Sequence, residues 1–265
     1  MATQLHTVNL SLGYESPLFS GLNLHLPEKS LICLIGRNGA GKSTLLRTLA
    51  GVKKPLAGEI FLDGKTMAKM SEKEISKRLS IVLTDPVKVP YMTVKDLVMF
   101  GRYPHFGGQV KITPEDEAIV ASAIHDVGIE HLENRQLTTL SDGERQKAIL
   151  ARSIAQQTDF IILDEPAAFL DFPSKIELMQ LLKNLVKNHS KAILLSTHDI
   201  EMSIAISDTL WLIDNQRNII TGTPAELIGN HAIAETFNIP SSFFEQTLLR
   251  TQIFALREKG DVAQN

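Results

Sequence analysis

Short, almost wholly apolar runs recur along the chain at residues 31–35, 80–83, 160–163 and 192–196, separated by stretches with helical spacing of their apolar positions. Runs of that length read as strands, and their alternation with helices predicts an α/β core on a largely parallel sheet. The first two dozen residues and the run 58–62 read as shorter β segments. From about residue 85 to residue 155 the strand signal disappears. Thr93-x-x-Asp96 opens a helical pattern running through Phe100. Thr113-Pro114-Glu115-Asp116 opens a second, with a capping threonine, a proline in the first turn and carboxylates at the positive end of the helix dipole. A helical insertion interrupting the α/β core is expected. Towards the C-terminus, residues 209–213 and 218–221 flank Asp214-Asn215-Gln216-Arg217, the pattern of a β-hairpin.

Composition narrows the class. The 265 residues give room for a large core, and a net charge of −3 with 43% apolar residues is ordinary for a soluble globular protein. Without a basic excess, no nucleic-acid partner is expected. Cys33 lies inside the first apolar run and reads as a small buried hydrophobe; a single cysteine builds no intrachain disulfide, which is compatible with a reducing cytoplasm. The first six residues lack the basic and apolar regions of a signal peptide, and the apolar runs are too short to cross a bilayer. Work at a membrane would require a partner that supplies the spanning helices.

The chemistry begins at Gly36-Arg37-Asn38-Gly39-Ala40-Gly41-Lys42-Ser43-Thr44, which fits G-x-x-x-x-G-K-[ST] between a strand and a helix predicted over 43–50. Glycines at this spacing let several backbone N–H groups converge on one phosphate, and the helix start adds about half a positive charge. Gly36, Asn38, Gly39, Ala40, Gly41, Lys42, Ser43 and Thr44 are therefore the nucleotide-binding candidates. Lys42 is assigned to the β- and γ-phosphates, and the Ser43 hydroxyl to Mg²⁺. Downstream, Asp159-Phe160-Ile161-Ile162-Leu163-Asp164-Glu165 ends a buried strand on two carboxylates, where open α/β folds place their ligands. Asp164 is expected to hold Mg²⁺ through its hydration shell, and Glu165 to polarise the attacking water.

Between these two motifs, Leu140-Ser141-Asp142-Gly143-Glu144-Arg145-Gln146 resembles the signature motif of ATP-binding cassette (ABC) proteins, usually Leu-Ser-Gly-Gly-Gln. The resemblance covers roughly residues 4 to 230. It implies a P-loop NTPase core with an antiparallel β subdomain and an inserted α-helical subdomain, forming one domain over 1–265. Within it, the core would occupy about 1–85 and 156–230, the helical insertion about 86–155, and a C-terminal extension about 231–265. It further implies that Ser141 and Gly143 bind the γ-phosphate held by a second copy of the chain, so that ATP seals a head-to-tail dimer. By the same resemblance Tyr14 stacks on adenine, Asp171 in Ala168-Phe169-Leu170-Asp171 reaches towards the dimer partner, and His198 in Ser196-Thr197-His198-Asp199 is the switch histidine at the γ-phosphate.

Two positions depart from the family pattern. Asp85 stands where members carry a glutamine that contacts Mg²⁺ and senses the membrane subunit; its carboxylate can still ligate that hard cation, while adding negative charge beside the triphosphate. Alternatively Asp85 is a solvated loop residue. In the signature, Asp142 and Glu144 replace glycine and glutamine. The segment from Met92 to His105, with Gly101-Arg102-Tyr103-Pro104-His105 at its end, resembles the ATPases of iron-chelate importers for ferric siderophores, heme and cobalamin. The implied protein is an ATPase on the cytoplasmic face of a membrane, working with transmembrane permease subunits and, indirectly, a substrate-binding protein. Helix punctuation accounts for Gly101 and Pro104 but not for Arg102 and His105, and the resemblance sets this segment as a whole against the membrane subunits. An ATPase importing another small solute, or a soluble ABC switch protein, remains the alternative.

Overall fold

The computed structural model of the protein describes residues 4–83, 89–107, 111–168 and 170–240. The chain starts with β1 (Gln4–Gly13), β2 (Pro17–Leu22), β3 (His25–Pro27) and β4 (Leu31–Ile35). It continues through α1 (Lys42–Leu49), β5 (Ala57–Leu62), β6 (Lys65–Thr66), the short α2 (Glu72–Ser76) and β7 (Leu79–Val82). Three helices follow, α3 (Val94–Met99), α4 (Pro114–Asp126) and α5 (Asp142–Ala155). Then come β8 (Phe160–Asp164), α6 (Phe172–His189), β9 (Ala192–Thr197), α7 (Ile200–Ile206), β10 (Thr209–Ile213), β11 (Ile219–Gly222), α8 (Pro224–Gly229) and α9 (Ala232–Phe237).

β1 is the spine of an antiparallel sheet ordered β2-β1-β5-β6, with β3 also bonded to β1. The second sheet runs β11-β10-β4-β9-β8-β7 and is parallel except for the β10–β11 hairpin. Every residue of β4, β8 and β9 is buried, because this sheet is covered on both faces. Alternation divides their side chains. Leu31, Cys33 and Ile35 join a core with α3 to α6, while Ile32 and Leu34 join a second core with α1 and the antiparallel sheet. At about 1.5–3 kcal/mol for each fully buried large aliphatic, these two layers fix the sheet's register.

The four runs read as strands are β4, β7, β8 and β9, with ends differing by at most one residue. The hairpin forms as expected, with Ile213 opposite Ile219 and the Asp214 carboxylate accepting from the Gln216 and Asn218 N–H groups at 2.8 Å each. Between β7 and β8 the described residues contain helices and one isolated bridge, Thr93 to Gln136, but no strand. Thr93, Thr113 and Ser141 each cap their helix in a reciprocal box with Asp96, Asp116 and Glu144.

Candidate functional site

β4, β9 and β8 are neighbours and parallel, so the segments leaving their carboxyl ends emerge side by side. From β4 the chain turns through residues 36–41, with the Ala40 N–H bonded to the Arg37 carbonyl at 3.1 Å, and enters α1. Gly41 precedes the helix at φ 104°, and a Cβ there would come within 2.8 Å of the Phe19 ring, so both backbone and space demand glycine. That contact also seats the β1–β2 hairpin, which carries Tyr14, against the loop. Tyr14 itself is 66% exposed, with the Lys53 ammonium 4.0 Å from its ring centre.

Lys42 is buried at the start of α1 and donates to the Gly36 carbonyl at 3.0 Å. Its Nζ lies 3.5 Å from Glu165 Oε1. Ser43 is exposed and Thr44 buried. Beyond β8, Glu165 adopts φ 50°, a left-handed conformation that costs a non-glycine residue roughly 1 kcal/mol or more. Its N–H is held by Ser196 Oγ at 2.9 Å, and the same hydroxyl donates to Asp164 Oδ1 at 2.7 Å. Ser196 sits directly opposite Asp164 in the β8–β9 register, so one serine orients both carboxylate residues. Ser196 is a site residue that no sequence motif singles out; its only signal is a hydroxyl near the end of a largely aliphatic strand. His198 Nδ1 lies 2.8 Å from Glu165 Oε2, within hydrogen-bonding distance. Lys42, Glu165 and His198 thus meet at one place, with Asp164 behind them.

Ser141, Gly143 and Asp171 form a separate group. They line a groove of about 420 Å³ that includes none of Lys42, Glu165 or His198. The two unusual signature residues are engaged by local partners. Glu144 Oε2 accepts from the Ser141 N–H at 2.8 Å and from its hydroxyl at 2.9 Å, and these bonds hold its carboxyl below the usual range. Asp142 Oδ1 pairs with Arg145 at 2.7 Å. Asp171 caps α6, and bonds from the Ser174 side chain and backbone hold its carboxyl below the usual range. Asp85 lies outside the described residues.

Arg102 and His105 are held by partners within the chain. Arg102 is 5% exposed and bonds Asp116 Oδ1 at 3.0 Å, the Ala155 carbonyl at 2.8 Å and Gln157 Oε1 at 2.8 Å. His105 Nε2 reaches the Gln156 carbonyl at 2.9 Å. Gly101 is equally constrained, since a Cβ there would sit 2.3 Å from the Arg152 carbonyl. The segment is a clamp onto the end of α5. Beside it, the exposed Phe100, Tyr103 and Tyr91 and the buried Phe106 line an open apolar groove of about 410 Å³, with Asp96 alongside. Phe100 and Tyr103 are about half exposed and Tyr91 more so.

The family model for "ABC transporter" matches residues 19–168. The achromobactin transport ATP-binding protein of Dickeya dadantii is 34% identical over 93% of this chain and 94% of its own length. A probable siderophore transport system ATP-binding protein of Bacillus subtilis is 35% identical over 97% of this chain and 94% of its own. Among solved structures, a metal-chelate type ABC transporter in an inward-facing conformation superposes with a TM-score of 0.80 at 28% identity, covering 91% of this chain and 90% of that one. No helix of the described residues is long and apolar enough to cross a membrane. Matched by the family model over most of its phosphate-loop core and by relatives over nearly its whole length, the chain belongs to the ABC transporter family as one of its ATP-binding, ATP-hydrolysing subunits.

Proposed function

We propose that this chain powers the import of an iron chelate, a siderophore or heme, or of cobalamin. It would work as a head-to-tail homodimer on the cytoplasmic face of a membrane, beneath two permease subunits fed by a substrate-binding protein. The meeting of Lys42, Glu165 and His198 at the ends of adjacent parallel strands carries the hydrolytic half of this reading. ATP lies with its phosphates on the backbone of residues 36–44 and its adenine on Tyr14. Lys42 exchanges its contacts with Gly36 and Glu165 for the β- and γ-phosphates. Glu165 takes the proton of the attacking water, its carboxylate oriented by His198 Nδ1, and the histidine stands next to the γ-phosphate.

Among the described residues no three His, Cys, Asp or Glu side chains cluster as a metal cage. A hydroxyl at Ser43 and a carboxylate at Asp164, with Asp85 as a third candidate, suit a Mg²⁺ that arrives with the nucleotide and keeps several waters. Such an ion supplies neutralisation of the charge on the transferring phosphoryl group. Ser141, Gly143 and Asp171 receive the partner copy's ATP. The apolar groove with Phe100 and Tyr103 suits a cytoplasmic helix of the permease, since exposed aromatics of this kind mark protein contact surfaces. The cargo rests on the siderophore-transport relatives and the metal-chelate type structure.

The test is to tag the chain, trap it with Glu165→Gln and ATP, solubilise native membranes gently and identify what copurifies. A polytopic permease that transports siderophore, heme or cobalamin in purified complexes bears the proposal out. A permease for another small solute overturns the cargo, and recovery of soluble proteins alone overturns import.

A further inference from the structure

We propose that Lys175 is a positioning residue linking the groove of Ser141 and Asp171 to the water-activating pair Glu165–His198, so that each nucleotide site responds to the other. The proposal deepens the ATP-sandwich reading above and rests on it. Asp171 and Ser174 line that groove from the first turn of α6. Lys175 is locked to the same turn, because its N–H bonds the Asp171 carbonyl at 3.0 Å while Asp171 Oδ1 accepts the Ser174 N–H at 3.0 Å. From there its ammonium crosses to Asp199 Oδ2 at 3.0 Å, with both side chains 28% exposed.

Asp199 directly follows His198 and is fixed from every side. Its Oδ1 caps α7 through the Met202 N–H at 3.0 Å, and its own N–H bonds Thr197 Oγ1 at 3.0 Å. Burial pushes this carboxyl up, but the Met202 N–H and the Lys175 ammonium outweigh it and hold the group below its ordinary range. The two carboxylate oxygens therefore have separate tasks, one on α7 and one on α6. A shift of the first turn of α6, as a partner's nucleotide docks at Asp171, is carried by Lys175 to the backbone beside His198. The His198 ring, 2.8 Å from Glu165, moves with it. Partial shelter from solvent makes this link less salt-sensitive than a surface pair.

Steady-state hydrolysis and ATP-driven dimerisation test this with Lys175→Met, Lys175→Arg, Asp199→Asn and the double variant Lys175→Met/Asp199→Asn. In Lys175→Met, kcat should fall about tenfold and the Hill coefficient for ATP should approach one, while ATP binding to the monomer stays unchanged. Lys175→Arg should restore most of both, and the double variant should be no worse than Lys175→Met, as expected for two residues acting as one unit. If Lys175→Met changes only the melting temperature and keeps the parent kcat and Hill coefficient, the pair is a brace and the proposal is overturned. If the Glu165→Gln parent never dimerises with ATP, the sandwich reading falls and this proposal with it; a parent that dimerises while Lys175→Met behaves as wild type sinks the proposal alone.

Discussion

The carboxyl end of the parallel sheet and the helical region between β7 and β8 both bury charged side chains, and use them for opposite purposes. At the sheet end, Lys42 holds one carbonyl and stands 3.5 Å from a carboxylate, contacts that an incoming phosphate can replace. Glu165 and His198 keep one face towards the surface. In the helical region, Arg102 has committed its donors to a buried carboxylate, a carbonyl and an amide, and His105 to another carbonyl. A polar group is available for chemistry only where its present partners are weaker than the ligand that would displace them. What the helical region offers outward is aromatic surface.

Glu165→Gln gives the largest expected effect and the hardest test of that contrast. Loss of the general base proposed above should lower turnover by about 10²–10⁴-fold, with the unfolding midpoint unchanged and ATP still bound. A large loss of stability instead would make the Glu165 contacts structural and erase the distinction. Arg102→Met should do the reverse. It takes the guanidinium from Asp116 Oδ1, leaving that carboxylate only its Thr113 bonds, and should cost about 3 kcal/mol in a denaturant melt, while kcat per folded molecule, measured well below the melting temperature, is kept. Smaller in stability, Phe100→Ser with Tyr103→Ser should change the melt by no more than about 0.5 kcal/mol, because both rings are exposed. The same variant should no longer recover the permease from detergent extracts, which sharpens the outward role of this region.

The smallest effect comes with acid. Asp96, Asp116 and Glu144 are held below their ordinary range first by bonds from the Thr93 and Thr113 hydroxyls and the Ser141 N–H. Depressed native values mean that their contribution to stability is complete above the unfolded-state values and is lost as pH falls through the native ones. Helical ellipticity of the nucleotide-free protein should therefore decline below about pH 4. A profile flat to pH 3 would show that these caps add nothing measurable.

Legibility followed the same division. The phosphate loop, the acidic strand end and the β10–β11 hairpin were readable because each is a local signal: glycine spacing, an apolar run closed by carboxylates, a turn sequence between two strands. The capped starts of α3 and α4 were readable for the same reason. The roles of Arg102 and His105 were not legible because nothing within a few residues of them reveals that the end of α5, more than fifty positions on, supplies acceptors for both. Ser196 was missed as the organiser of Asp164 and Glu165 because its partners lie 32 and 31 positions away.

By itself the sequence determined where the glycine-rich turn, the helix caps and the buried strands lie, since those depend on residue type and short-range spacing. Tertiary structure alone decided which polar groups come together at one edge and which are bound up within the fold. Parallel strand register brings Lys42, Asp164, Glu165, Ser196 and His198 to one edge from three segments distant in the chain. Close packing of the helical region onto α5 leaves Arg102 no water, so its donors must be satisfied by the fold itself.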